Sequence, residues 1–364
     1  MKLIDLCSYL DSVVPLSLQE SYDNSGLQIG TPERDISSAL ISLDITPEVL
    51  DEAISSKCDI VITHHPLIFS GIKKISGGSL LDRIMMRAIK NDIAVYSSHT
   101  NLDVISNGVS RKMAEKLALS NVEVLSPLRN RLLKLVTFIP HSHLDKVREA
   151  VFNAGAGVVG NYDCCGFSIH GTGSFRGSEN TNPFVGEKGK IHHEEEIRFE
   201  TVLYSHLKEK VIRALLEAHP YEEVAYDIYT IENDNIEIGL GCKGNFEEAM
   251  EEDLFLKLVS DVFEAKGVRY SKPTGKKITK VALCGGAGSS LISEAIISGA
   301  DAFVTGDIKY HSFFEIDDRI LLVDIGHFES EKFSSEILLN LIIKKFPTFA
   351  VRISKTNTNP INYL

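Results

Sequence analysis

The chain has 364 residues, 43% of them hydrophobic and 24% charged, an ordinary globular composition that excludes wholesale disorder. Its length implies two to three domains, or one large domain carrying an insertion. A net charge of −12 argues against general nucleic-acid binding, which rests on clustered Lys and Arg, and stretches such as Lys188 to His193 are too short to reverse that.

The first stretch, MKLIDLCSYLDSVVPL, carries Asp5 and Asp11 within its apolar pattern and reads as an amphipathic helix, not a secretory signal. No apolar run reaches the ~18 residues of a membrane-spanning helix, so a cytoplasmic protein without membrane contact is expected. Next come a strand at 39–45, a helix at 47–56, a strand at 59–63, a helix near 80–91 and a strand at 93–99. Residues 129–235 differ in character. A strand at 132–140, a helix at 144–155, a Gly-rich stretch from Gly166 to Gly177, a strand at 201–205, a helix at 207–219 and a strand at 222–231 approach β-α-β-β-α-β, a ferredoxin-like unit. The α/β pattern then resumes with a strand at 280–286, a helix at 290–299, strands at 301–307 and 319–326, and a long amphipathic helix from about 328 to 345.

The two α/β regions read as copies. Shifted by 242 positions, Glu52-Ala53-Ile54 falls on Glu294-Ala295-Ile296, Asp59 on Asp301 and Thr63 on Thr305. The expected fold is α/β: two related lobes (1–128 and 236–364) form one discontinuous domain around the α+β insert at 129–235. Open α/β sheets place their sites at the C-terminal ends of strands. The six cysteines never form CxxC, which disfavours a disulfide framework or zinc-thiolate site, and adjacent Cys164 and Cys165 read as buried small hydrophobes.

Three polar motifs follow predicted strands. His64-His65-Pro66 puts two imidazoles at a strand end, where neighbouring side chains point to opposite faces and can serve two different ions. His99-Thr100-Asn101-Leu102-Asp103 adds a hard oxygen ligand and an imidazole suited to ligation or proton transfer. His327 and Glu331 stand four apart at a helix start, sharing one face. Each motif alone also fits a bland role, such as a carboxylate favoured by a helix dipole; their convergence on strand ends favours a metal site. Asp307, Lys309 and His311 fit either supporting groups or a capped helix start. GGAGSS (285–290) offers backbone N–H groups to an anion but completes no nucleotide-binding motif. The polar stretch Glu20 to Gly26 fits a cap and turn or a site wall equally.

At these residues the chain resembles the GTP cyclohydrolase 1 type 2 homologues, the Nif-three-like proteins. The motifs ESYDNSGLQIG (20–30), ITHHPLIFSG (62–71), HTNLD (99–103), TGDIKYH (305–311) and GHFESE (326–331) occur in that family's order. Tyr22 stands where the family usually has Trp, and Phe328 where it commonly has Tyr. The resemblance implies two divalent metal ions per subunit (zinc, iron or manganese) held by His64, His65, Asp103, His327 and Glu331. In the family pattern Glu331 bridges, with His65 and Asp103 on one ion and His64 and His327 on the other. It also implies an insert similar to PII and CutA proteins and a homohexamer. Two functional classes follow. One is a metal-dependent hydrolase acting on GTP, at the purine C8, or on a phosphoester, with His99 as proton carrier. The other is a non-catalytic metal-binding or regulatory protein whose insert senses a ligand or partner.

Overall fold

Strands that are buried throughout, such as Ile60–Thr63, suit sheets covered on both faces. The computed structural model describes residues 1–129, 131–233 and 235–364, and builds two such sheets and a third of different kind. The early strands are β1 (Gly26–Ile29), β2 (Ser38–Ser42), β3 (Ile60–Thr63), β4 (Ala94–Ser97) and β5 (Ser120–Leu128). Those that follow are β6 (Leu132–Pro140), β7 (Gly166–Phe175), β8 (His192–Tyr204) and β9 (Tyr226–Ile231). The last are β10 (Asn235–Met250), β11 (Arg269–Tyr270), β12 (Ile278–Leu283), β13 (Ala302–Thr305), β14 (Leu321–Asp324) and β15 (Ala350–Ile353). Residues 1–127 with 236–364 form one compact unit, and residues 128–235 form another.

In the first unit, one sheet has the order β1-β4-β3-β2-β15 and the other β11-β14-β13-β12-β10-β5. β2, β3 and β4 run parallel, as do β12, β13 and β14, and each trio is flanked by an antiparallel strand, β1 beside β4 and β11 beside β14. Alternate residues divide each sheet between two cores. Ile41, Ile60, Ile62 and Tyr96 pack under the first helix (Leu3–Val13), whereas Leu40, Val61 and Val95 meet the helices Pro47–Ser55 and Leu80–Lys90. The second sheet repeats this: Val281, Val304 and Val323 face Phe255 and Val259, while Ala282, Phe303 and Leu322 face Leu291 and Ala295. Thr46 starts one of these helices, its side chain accepting from the Val49 amide ahead of Pro47.

The second unit has a wholly antiparallel sheet, order β7-β8-β6-β9. Helices Leu144–Asn153 and Lys208–Ala218 seat Val147, Val151, Val211 and Leu215 on Leu135, Ile139, Phe199 and Leu203.

Three local expectations need correction. The helix expected from about 328 to 345 is two, His327–Glu331 and Ser334–Lys345. The Gly-rich stretch from Gly166 is strand β7, and the expected strand at 201–205 is the end of the longer β8. Cys164 is exposed and Cys165 half-buried, because both lie in the turn leading into β7, with Cys164 at φ 52°.

Candidate metal centre

The parallel strands of both sheets end at one place in the first unit. His64 and His65 follow β3; His99 and Asp103 follow β4, on and just before the short helix Thr100–Val104. His327 and Glu331 open and close the helix after β14, and Asp307 follows β13. Strand-end loops are where an α/β sheet holds functional groups.

Each imidazole is anchored through Nδ1. His64 Nδ1 donates to the Ser98 carbonyl at 2.8 Å, His65 to Asp44 at 2.7 Å, His99 to Asp23 at 2.8 Å and His327 to Asp307 at 2.8 Å. Carbonyl and carboxylate oxygens only accept, so Nδ1 carries the hydrogen and Nε2 is presented to whatever lies on the far side of the ring. That is the arrangement of metal-ligating histidines.

Glu331 is buried between two groups. Its Oε2 lies 2.9 Å from both His65 Nε2 and His327 Nε2, while Oε1 lies 3.7 Å from His64 Nε2. Asp103 Oδ1 stands 3.6 Å from the same His64 nitrogen. Potential ligand atoms therefore converge in three sets: His64, Asp103 and Glu331; His65, His327 and Glu331; and His64, His65 and His99. Glu331, His64 and His65 each belong to two of the three sets. The two sets that contain Glu331 join it to His64 with Asp103 and to His65 with His327, a different pairing from that of the family pattern. His64 and His65 follow one strand with side chains turned to different sides, and His64 is the one that meets Asp103, which follows the adjacent strand β4. His65 is drawn by Asp44 toward His327.

Gly286 makes room for this. At φ 62° it sits so close that an added Cβ would stand 2.2 Å from Glu331 Oε1. The glycines of GGAGSS thus cradle a carboxylate of the chain itself.

Burial opposes charging His65, yet hydrogen bonds to Asp44 and Glu331 outweigh it and push its pKa up to about 10. His327 is likewise pushed up to about 9, against burial, by Glu331 and Asp307. Burial drives Asp103 up to about 6 against the pull of His64, and Glu331 falls well below the usual range because surrounding imidazoles overcome its burial. The cluster is a strong sink for positive charge.

Two atoms test whether a cation fits. Among the described residues, His64 Nε2 and Asp103 Oδ1 are buried and have no hydrogen-bond partner. Leaving such groups unpaired costs about 1–3 kcal/mol each, and a cation between them satisfies both. The mixed nitrogen and oxygen donors suit a transition metal.

Outside the six residues, Asp23 accepts from His99, the Thr100 amide and hydroxyl, and the Ser25 hydroxyl. These bonds outweigh burial and hold it well below the usual carboxylate range. The stretch Glu20 to Gly26 therefore contributes to the site. Asp44, unanticipated from sequence, also receives the Thr358 hydroxyl at 2.7 Å; its only signal was an acid directly after an apolar strand. His311 packs against Tyr310 and Phe314 and belongs to none of the converging sets.

Among the described residues, no helix is long and apolar enough to cross a membrane. The chain is 39% identical over 356 residues to the GTP cyclohydrolase 1 type 2 homolog of Halalkalibacterium halodurans, covering 96% of this chain and 95% of that one. It is 40% identical over 352 residues to the Bacillus subtilis protein of the same name, covering 94% and 93%. Among solved structures, a Bacillus cereus protein related to NIF3 matches with a TM-score of 0.86 and 38% identity, over 100% of this chain and 99% of that one. The family described as Duf34/NIF3 (NGG1p interacting factor 3) matches residues 1–360, and the chain belongs to it.

Proposed function

We propose that the chain is a dinuclear metal-dependent hydrolase acting on GTP or a related nucleotide or phosphoester. One observation carries the reading: the two oxygens of Glu331 face different imidazoles, Oε1 toward His64 and Oε2 toward His65 and His327. His64, His65, Asp103, His327 and Glu331 would hold two divalent ions, with zinc, iron and manganese all suited to these donors. Ions bound there supply Lewis acidity and lower the pKa of a coordinated water. Five ligands for two ions leave coordination positions open, which distinguishes catalytic from structural sites. Asp23 fixes His99 through Nδ1 and leaves Nε2 free to carry a proton. The name borne by the Halalkalibacterium and Bacillus relatives makes GTP the first substrate to try.

The test is metal analysis of the purified chain together with a panel of nucleotides and phosphoesters. Close to two ions per chain and metal-dependent turnover are expected. Bound metal without turnover of any panel member would favour the rival reading, a metal-binding or regulatory protein.

We read residues 129–235 as an inserted ferredoxin-like domain, supported by the sheet order β7-β8-β6-β9 with two helices on one face. Replacing it with a short Gly/Ser linker should leave a chain that still binds metal. A cytoplasmic homohexamer is the assembly the family resemblance favours, checked by light scattering.

A further inference from the structure

The second unit contains a cavity of about 460 Å³ far in character from the metal centre. Its wall is aromatic. The Tyr221 ring adjoins Phe175 at 6.3 Å with planes inclined by 54°, and Phe184 at 6.1 Å with planes inclined by 48°. Inclined rings make a curved wall, whereas a flat ligand is sandwiched by parallel faces. Phe184 is 50% exposed, so part of this aromatic surface is open to a ligand.

The charged groups lining the cavity are mostly acidic: Glu196, Glu222 and Glu223 against the single guanidinium of Arg176. Glu196 is fixed in place. The Tyr221 hydroxyl donates to its Oε1 at 2.8 Å, and Gly173 leaves the space its carboxylate fills, since a Cβ there would stand 2.1 Å from Oε2. Glu222 Oε1 accepts from the Asn182 amide at 2.8 Å, tying down the segment that carries Phe184. Among the described residues, no set of three or more converging metal ligands lies here, so a bare metal ion lacks its donors.

Aromatic faces carry negative quadrupole potential and attract cations, most strongly where water is excluded. We propose that this cavity binds a small organic cation, with an alkylated ammonium group seated against Phe175, Phe184 and Tyr221 and Glu196 as its counter-charge. The volume exceeds that of the ammonium group alone and accommodates a further substituent. The site is independent of the hydrolase reading.

The experiment is calorimetric titration of the full-length chain with choline and with 3,3-dimethylbutan-1-ol, its uncharged isostere. Choline is expected to bind at least ~10-fold more tightly than the isostere. Glu196→Gln keeps the hydrogen-bonding shape and should weaken choline ~5-fold or more while narrowing the preference over the isostere to what the aromatic faces alone supply. Phe184→Leu, at an exposed position that tolerates change, should also weaken choline ~5-fold or more. Metal content should be unchanged in both variants. Equal binding of choline and isostere would show a merely apolar hole, and no choline binding, or wild-type binding by both variants, would equally overturn the assignment.

Discussion

At the end of β3 the chain reads Thr63-His64-His65; at the end of β13, at a constant shift of 242, it reads Thr305-Gly306-Asp307. The frames behind these loops match. Thr63 pairs with Ser97 of β4 as Thr305 pairs with Asp324 of β14, and the strand orders β4-β3-β2 and β14-β13-β12 coincide. Past the third strand of each trio stands a histidine with an acid four residues on, His99 with Asp103 and His327 with Glu331. Both histidines are tied through Nδ1 to an aspartate. The second loops differ: one sheet presents two imidazoles, the other a glycine and a supporting carboxylate. Gly306 shows why. An added Cβ would lie 2.9 Å from the Gly326 backbone, so the counterpart of His64 cannot be a histidine. A duplicated frame thus supplies equivalent strand ends, and single residues decide which become ligands and which become supports.

Breaking the residue shared by both groups should have the largest effect. Glu331→Gln preserves shape and removes the charge facing His64, His65 and His327, so metal affinity should fall by more than ~100-fold, beyond what loss of a supporting group costs. His65→Ala should behave similarly, with the fold retained in both. Metal analysis after gel filtration is the readout, and wild-type stoichiometry in both variants would remove these residues from the ligand set.

The supports come next. Asp44→Asn and Asp307→Asn each loosen one imidazole and should weaken metal binding by ~10–100-fold. Asp44 should matter more, because its side chain is less exposed than that of Asp307 (33% against 51%) and is held from behind by Thr358. Competition against a chelator measures both. A larger loss in Asp307→Asn would reverse the assignment of the better-anchored half.

The parallel trios β2-β3-β4 and β12-β13-β14 were legible because Ile60–Thr63, Ala302–Thr305 and their neighbours are short, mostly apolar runs, whereas β5, β10, β11 and β15, which complete the two sheets, were not read from the sequence. The six histidine and carboxylate residues of the centre were legible because each follows such a strand within a recognisable motif. Asp44 was not: one acid after a strand becomes a partner only when the sheet order places β2 beside β3. Strand β7 was hidden by its glycines, which weaken strand propensity. Pairing with β8 is a non-local effect, and at Gly173 the missing side chain is what lets the Glu196 carboxylate lie across the strand. GGAGSS suggested an external anion, while the structure seats Glu331 there, a contact between segments distant in sequence.

The equivalence of His99 and His327 yields the finest test, with the smallest expected effect on metal. His327 Nε2 lies 2.9 Å from Glu331, four residues on. His99 joins His64 and His65 in a converging set, with ring centroids 5.3 and 5.4 Å away, yet its one ion-pair partner among the described residues is Asp23, which takes its other nitrogen. It is the histidine of the four least engaged with the central carboxylate. A proton carrier needs that: an imidazole held in one tautomer, beside the centre, with a nitrogen to spare. His99→Asn should therefore leave metal affinity within about threefold of wild type, less than the loss from a supporting group. Turnover of the substrate found by the panel should still fall on the order of 10²-fold at saturating metal. His327→Asn in the same titration should lose metal first. Recovery of full turnover in His99→Asn at excess metal would make His99 a ligand like its counterpart and extend the repeat to the chemistry itself.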